Sequence, residues 1–204
     1  MRKIIVFLAV VAVGIVAWLL FTRSSEREGP KQKPLKVSKH SVAFNESVQS
    51  VMNSYYSLTE GFVNWDTTAV DNQAKALKGK LDGLNLNELK KDTTGILETA
   101  QSFVDNAKND IQTIAQDTGF ANKRHGLNSL TDNLFQFLRV VKYDETKLYL
   151  QQCPMAFGDD DPGIWLSKTD SIRNPYLGLH HPKYGKAMID CGETKDTLNF
   201  IPKK

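Results

Sequence analysis

Cysteine, histidine and methionine are scarce in this sequence, whose 204 residues include two cysteines, four histidines and four methionines. The chain also lacks the short motifs of several enzyme classes: Gly-x-Ser-x-Gly, a phosphate-binding glycine loop, His-Glu-x-x-His and a dinucleotide-binding fingerprint. Its net charge of +3 comes without a basic cluster, which argues against nucleic acid as a partner. We therefore expect a binding protein rather than an enzyme.

An apolar run opens the chain. Residues 4–21 are uninterrupted by charge and follow Met1, Arg2 and Lys3. As a helix the run would be about 27 Å long, close to the roughly 30 Å of a bilayer core. Residues 18–21 are bulky where a signal peptidase needs small residues, which favours a transmembrane anchor over a cleaved signal segment. With an uncleaved anchor, the basic flank at residues 1–3 predicts a single-pass protein of the bacterial inner membrane with its body in the periplasm. If the N-terminal segment is cleaved instead, the remaining body is a periplasmic protein.

Helical periodicity dominates the middle of the chain. Residues 22–40 are polar and basic and predict a flexible linker. Residues 41–143 then show four apolar stripes at helical spacing. The first begins at Phe44, the second follows a cap at Asp66, the third follows residues 92–94, and the fourth spans about 122–141. Their short connections predict an antiparallel four-helix bundle.

Residues 144–204 predict a turn-rich lobe packed on the bundle. Polar and apolar residues alternate over 147–151 and 197–201, which predicts two short strands that pair with each other. Residues 159–163 predict a turn, and 164–166 a short apolar piece docked on the end of the bundle. The expected fold class is mainly α: a four-helix bundle, a lobe with a two-stranded β element, and an N-terminal transmembrane helix.

Soft metal ligands are concentrated in this lobe. Cys153-x-Met155 and Met188-x-x-Cys191 bring two thiols and two thioethers into one loop-built region. Such sulfur ligands select Cu(I) or Ag(I) over zinc or magnesium, because thioethers are poor ligands for hard ions. The sequence therefore predicts a soft-metal site at these four residues.

Two neighbouring histidines widen the possible ligand set. His180 and His181 could complete a zinc site with the two cysteines, although adjacent histidines rarely close on one tetrahedron. Four other residues are candidates for supporting roles: Arg173 and Asn174 as second-shell hydrogen-bond donors, and Trp165 and Tyr176 as packing aromatics.

A disulfide is the structural alternative to a metal site. Two cysteines in an exported domain most often bond to each other, because the compartment is oxidising. Closing a loop of about 39 residues would contribute on the order of 3 to 4 kcal/mol on the chain-entropy model. A Cys153–Cys191 bond would also remove both thiol ligands, so the two interpretations stay open at this stage. Redox control of one site, in which reduction opens it, is a third.

The motifs of the lobe are also similar to those of a known family. Cys-Pro-Met-Ala-Phe at 153–157, Trp-Leu-Ser at 165–167, Ile-Arg-Asn-Pro-Tyr-x-Gly at 172–178 and Met-x-x-Cys-Gly at 188–192 resemble a bacterial envelope family designated a domain of unknown function. Its members occur alone or fused to periplasmic adaptor subunits of copper and silver efflux pumps. The resemblance covers about residues 44–198 and implies a periplasmic helical domain in a heavy-metal context. Residues 179–184 look like an insertion in that motif, so their histidines inherit no role from it.

Two functions follow as expectations. The first is a membrane-tethered periplasmic domain that binds Cu(I) or Ag(I) for sequestration or efflux, with an efflux adaptor or another envelope protein as partner. The second is an interaction module without metal, stapled by a Cys153–Cys191 disulfide.

Overall fold

The computed structural model describes residue 18 and residues 40–202. The predicted flank at 1–3, the predicted membrane segment apart from Trp18, and the linker up to residue 39 lie outside the described residues. In the part of the chain that is described, no helix is both long enough and apolar enough to cross a membrane.

Four α-helices form residues 42–141, as the periodicity predicts. They are α1 Val42–Val63, α2 Thr67–Asp82, α3 Ile96–Gln116 and α4 Phe120–Val141, with a short 3-10 helix at Asn87–Lys91. The predicted cap at Asp66 is correct, since its side chain accepts a hydrogen bond from the backbone N–H of Ala69 at 2.9 Å. Ser41 caps α1 in the same way, because its Oγ accepts from the backbone N–H of Phe44 at 3.2 Å. Each helix packs against the next one along the chain.

The apolar stripes of the helices and buried side chains of the lobe form a continuous core. On α1 the residues at three- and four-residue spacing are almost wholly buried: Val48, Val51, Met52, Tyr55, Leu58 and Phe62. Cys153, Trp165 and Leu166 from the lobe belong to the same buried cluster. The lobe is therefore held to the helices by apolar packing, as well as by the polar contacts described below.

The lobe contains a three-stranded antiparallel sheet, so the prediction of two strands was incomplete. Its strands are β1 Leu148–Gly158, β2 Asp161–Ser167 and β3 Glu193–Leu198, in the order β2-β1-β3. The predicted pairing of the first and last segments is correct, with Leu148 opposite Leu198. The missed strand, β2, pairs with β1 through a tight hairpin, in which Asp160 has a φ of 60°.

Side chains from two helices cover the outer edge of β2. The backbone N–H of Ile164 donates to Asn128 Oδ1 on α4 at 2.8 Å, and that of Leu166 donates to the hydroxyl of Tyr55 on α1 at 3.1 Å. An uncovered strand edge would expose unpaired N–H groups to other chains. The predicted apolar piece at 164–166 therefore does dock on the helices, and it does so as an edge strand.

Candidate functional site

The two cysteines lie side by side in the lobe. Their Sγ atoms are 3.4 Å apart, and both are free thiols. Cys153 is 0% exposed, whereas Cys191 is partly exposed. A disulfide needs a sulfur separation of about 2.05 Å, so the pair is in contact without being bonded. The structure therefore brings together the two residues at the centre of both sequence-based interpretations.

Strand pairing accounts for this proximity. The antiparallel register of β1 and β3 ends with Gln152 opposite Glu193. Cys153 is the next residue on β1, and Cys191 lies two residues before Glu193, so the ladder delivers both thiols to the same end of the sheet. Gly192 makes the approach possible, because a Cβ there would lie 2.8 Å from the Gln152 carbonyl oxygen and 2.9 Å from the Trp165 ring.

The turn that carries Cys191 is held by Asn174. The backbone N–H of Asn174 donates to the Ile189 carbonyl at 2.8 Å, and its side-chain Nδ2 donates to the Cys191 carbonyl at 2.7 Å. Its Oδ1 accepts from the backbone N–H groups of Tyr176 at 2.7 Å and Leu177 at 3.0 Å. The predicted second-shell residue thus joins the Asn-Pro-Tyr turn to the cysteine turn.

Tyr176 anchors the lobe on the helices, in agreement with its prediction as a packing residue. It is 0% exposed, and its hydroxyl donates to the Ile164 carbonyl at 2.5 Å. The guanidinium of Arg124 on α4 donates to the Tyr176 carbonyl at 2.6 Å. Burial holds the pKa of the Tyr176 hydroxyl well above its usual value, so the group stays neutral. Trp165, the other predicted packing aromatic, is also buried and has its ring 6.1 Å from that of Tyr176.

The Arg173 side chain donates its hydrogen bonds to α1 and not to the cysteine pair. Its Nε and Nη2 donate to the carboxylate of Glu60 on α1 at 2.9 Å and 2.5 Å. The hydrogen bonds raise the pKa of Arg173 and lower that of Glu60. The prediction of a second-shell role for Arg173 is corrected here: the residue ties the lobe to α1. Its partner, Glu60, is 113 positions away in the sequence, so the local spacing of residues could not predict this contact.

The histidines lie in a different environment. His181 stacks on Tyr184 at a centroid distance of 4.8 Å and meets Trp65 edge-on at 5.1 Å, and His180 is exposed. Burial and the charges of Arg124 and Lys183 lower the pKa of His181. Within residues 40–202, no three His, Cys, Asp or Glu side chains form a group that could hold a metal. In this structure neither histidine completes a zinc site with the thiols.

The methionines flank the cysteines along the chain. Met155 lies on β1, two residues after Cys153, and Met188 lies in the turn that ends at Cys191. Both side chains are partly buried and pack against the core. The thioethers thus stand on the same two segments as the thiols, as the predicted ligand set requires.

The local environment keeps Cys191 protonated. Burial, the hydrogen bond that the Cys191 thiol donates to the neighbouring Cys153 sulfur, and the electrostatic influence of Cys153 and Asp190 raise the pKa of the Cys191 thiol to about 11. Cys191 is therefore a protonated thiol at pH 7 where it faces Cys153 in the pair. Any metal or oxidant that reacts with this thiol must displace its proton.

A comparison with known protein families finds a match in the helical part of the chain. A family model described as "Protein of unknown function (DUF3347)" matches residues 51–146. These residues are similar to the members of that family. No curated protein and no solved structure matches the chain.

The match begins within α1 and ends just before β1. It is consistent with the expected domain of unknown function over the matched residues. Cys153 and Cys191 lie beyond the matched residues, and so do the lobe motifs on which the resemblance was based.

Proposed function

We propose that the lobe attached to the helices binds a soft monovalent metal ion, Cu(I) or Ag(I), through Cys153 and Cys191 in their reduced state. One observation carries the proposal: two free thiols lie 3.4 Å apart. Within residues 40–202 no group of three or more His, Cys, Asp or Glu side chains forms a harder metal site around them. Structural zinc takes four such ligands, whereas sulfur ligands favour Cu(I).

The geometry needs little adjustment to hold an ion. At a metal–sulfur bond length of about 2.3 Å, two sulfurs on one ion lie roughly 3.8 Å apart in a tetrahedral arrangement and 4.6 Å in a linear one. Cys191 lies on a turn and is partly exposed, so it is the thiol with freedom to move by that amount. Met155 and Met188 are the candidates for additional thioether ligands.

Binding would release protons from the pair. Because burial and Cys153 raise the pKa of Cys191, its thiol competes with the metal for a proton at neutral pH. Metal affinity should therefore rise with pH up to about 11. A binding role in the periplasm, tethered to the inner membrane and serving metal sequestration or an efflux adaptor, is the physiological setting that we propose from the N-terminal apolar run and the family resemblance.

The second candidate is an interaction module stapled by a disulfide. The same 3.4 Å separation favours it, because the sulfurs need to approach by only about 1.4 Å to bond. An oxidising periplasm would favour that bond. Metal binding and the disulfide are therefore competing states of one pair of residues.

A thiol count followed by a metal titration separates the two candidates. The full-length chain is purified, its free thiols are counted by mass spectrometry before and after reduction, and the reduced protein is titrated anaerobically with Cu(I) against a competing chelator. Soft-metal binding predicts one tight Cu(I) that Cys153→Ser and Cys191→Ser abolish and that Met155→Leu or Met188→Leu weakens.

His180→Ala and His181→Ala are the matched controls, and the proposed site predicts that they leave the affinity unchanged. If the reduced protein shows no Cu(I) affinity that the cysteine variants weaken, the metal proposal is wrong. Complete oxidation of the pair in the protein as isolated, together with that result, would select the stapled module.

A further inference from the structure

Asn174 is a polar side chain in a fully buried position. It is 0% exposed, and every polar atom of its amide group has a partner among the residues described above. Burying an amide is costly unless its hydrogen bonds are satisfied, so such a residue holds its neighbours in one arrangement. Here the neighbours are two turns that are distant in sequence, at 174–178 and 186–191.

The two polar atoms of the Asn174 side-chain amide form hydrogen bonds to two different turns. Oδ1 accepts from Tyr176 and Leu177, which closes the turn that docks on the helices. Nδ2 donates to the Cys191 carbonyl, and the Asn174 backbone N–H donates to Ile189, two residues earlier. The cysteine turn is therefore fixed at two points by one residue that is itself fixed to the helices.

We propose that Asn174 is a positioning residue that holds the Cys191 sulfur against Cys153, and so sets how readily the pair reacts as a unit. This inference rests on the proposed function in one respect, that Cys153 and Cys191 act together. It applies equally to a bound metal and to a disulfide, since both need the two sulfurs at short range.

Residues around Cys191 explain why this restraint is needed. The β1–β3 ladder stops at Gln152 and Glu193, so no strand pairing fixes the backbone of Cys191 itself. The remaining backbone contact that the structure gives Cys191 is the turn bond from its N–H to the Met188 carbonyl at 3.1 Å. Without the Asn174 side-chain amide, only the backbone bond from Asn174 to Ile189 and this turn bond would restrain the position of the Cys191 sulfur.

Asn174→Asp removes this restraint with little change in shape. One carboxylate oxygen still accepts from Tyr176 and Leu177, but the other meets the Cys191 carbonyl oxygen, which cannot donate. The readout is the equilibrium between the reduced full-length chain and glutathione disulfide. In this exchange the two thiols lose two protons and two electrons and form one S–S bond, while glutathione disulfide is reduced to two glutathione molecules.

The expected result is a disulfide that is less favoured in Asn174→Asp than in the wild type by about tenfold or more, the loss expected for one buried hydrogen bond and the repulsion that replaces it. A purely structural role would lower the melting temperatures of the reduced and oxidised proteins alike and leave this equilibrium unchanged. That outcome, an unchanged equilibrium, would overturn the inference.

Two further variants complete the test. Arg173→Gln, next in the chain, loses the contact with Glu60 but none with Cys191, and its equilibrium should match the wild type. Asn174→Ser, whose hydroxyl is too short to reach both turns, should show the same shift as Asn174→Asp and serves if the aspartate variant does not fold. A shift for Arg173→Gln equal to that for both Asn174 variants would also refute the role of Asn174. The Cu(I) titration of the wild type is independent of these measurements, so failure of the metal proposal is distinguishable from failure of this one.

Discussion

The hydroxyl of Tyr55 on α1 lies 2.7 Å from Thr131 Oγ1 on α4, inside the core. The same hydroxyl accepts a hydrogen bond from the backbone N–H of Leu166 on β2. Burial raises the pKa of Tyr55 to about 12, so the group remains a neutral hydroxyl that can donate to Thr131 and accept from Leu166. One side chain therefore joins two helices and the sheet, and it links the lobe to the helices through hydrogen bonds inside the core.

Tyr55→Phe should destabilise the protein by about 1 to 3 kcal/mol. The change leaves the Leu166 N–H and the Thr131 hydroxyl buried with one partner fewer, and an unsatisfied buried group costs about that much. Urea denaturation followed by circular dichroism measures the difference.

Tyr56→Phe is the matched control on the same helix. The Tyr56 hydroxyl is buried and has no hydrogen-bond partner among residues 40–202, so its removal should cost nothing or add stability. A loss of stability in Tyr56→Phe as large as that in Tyr55→Phe would contradict the assigned role of the Tyr55 network.

Gly178→Ala tests the docking turn. Gly178 has a φ of 55°, and a Cβ there would lie 2.5 Å from the Val63 carbonyl oxygen and 2.7 Å from the Trp65 ring. Backbone strain and the clash together should cost about 3 kcal/mol or more, by thermal or urea unfolding.

Gly185→Ala provides the comparison. Gly185 has nearly the same φ, 56°, but apart from its chain neighbours no atom of the described residues lies within 4 Å of the position its Cβ would occupy. Gly185→Ala therefore introduces backbone strain without a clash, so the free energy of unfolding should fall by about 1 to 2 kcal/mol. Equal losses in the two variants would mean that the contact with Val63 and Trp65 does not restrain the turn.

The helices could be predicted from sequence because their signals are local. Ser41 and Asp66 cap the helices that follow them, and the apolar spacing from Phe44 to Phe62 fixes the buried face of α1. The strand β2 was missed because residues 159–163 predict a turn, whereas the turn is confined to 159–160 and β2 begins at Asp161. The helix side chains that cover β2 are distant in sequence and leave no local signal.

The proximity of the two thiols could not have been derived in the same way. It depends on the β1–β3 register, which shifts between Leu150 and Gln151 so that Lys195 has no opposite residue. A shift of one residue decides which side chains share a face, and the alternation of residue types does not reveal it. The soft-ligand pattern identified Cys153 and Cys191, but only the fold shows their separation.

Cys191 should react slowly with alkylating reagents at neutral pH. Its pKa is raised to about 11, chiefly by burial and then by Cys153, so at pH 8 its thiolate fraction should be on the order of 100-fold below that of an ordinary cysteine. The rate of iodoacetamide labelling of the reduced protein, followed by mass spectrometry from pH 7 to 11, should still be rising at pH 10.

Two further results check the cause of this slow reaction. Cys153→Ala removes the neighbouring sulfur, so the pKa of Cys191 should fall and labelling at pH 8 should become faster. Peptide mapping should find the first label on Cys191, because Cys153 is fully buried. First labelling at Cys153, or a profile like that of the unfolded chain, would contradict this description of the pair.

The Glu60–Arg173 ion pair predicts a small, pH-dependent contribution to stability. Hydrogen bonding to Arg173 lowers the pKa of Glu60 below its ordinary value of 4.5. A carboxylate with a depressed pKa in the folded state stabilises the protein above its ordinary pKa, and this stabilisation is lost as the pH falls through the folded value. Both side chains are about half exposed, so the pair should contribute only about 0.2 to 1 kcal/mol at pH 7. Urea denaturation of Arg173→Gln, Glu60→Gln and the double variant should give a coupling energy of that size at pH 7 and none near pH 2.5. A coupling that persists at the lower pH would show that the ionised carboxylate is not its source.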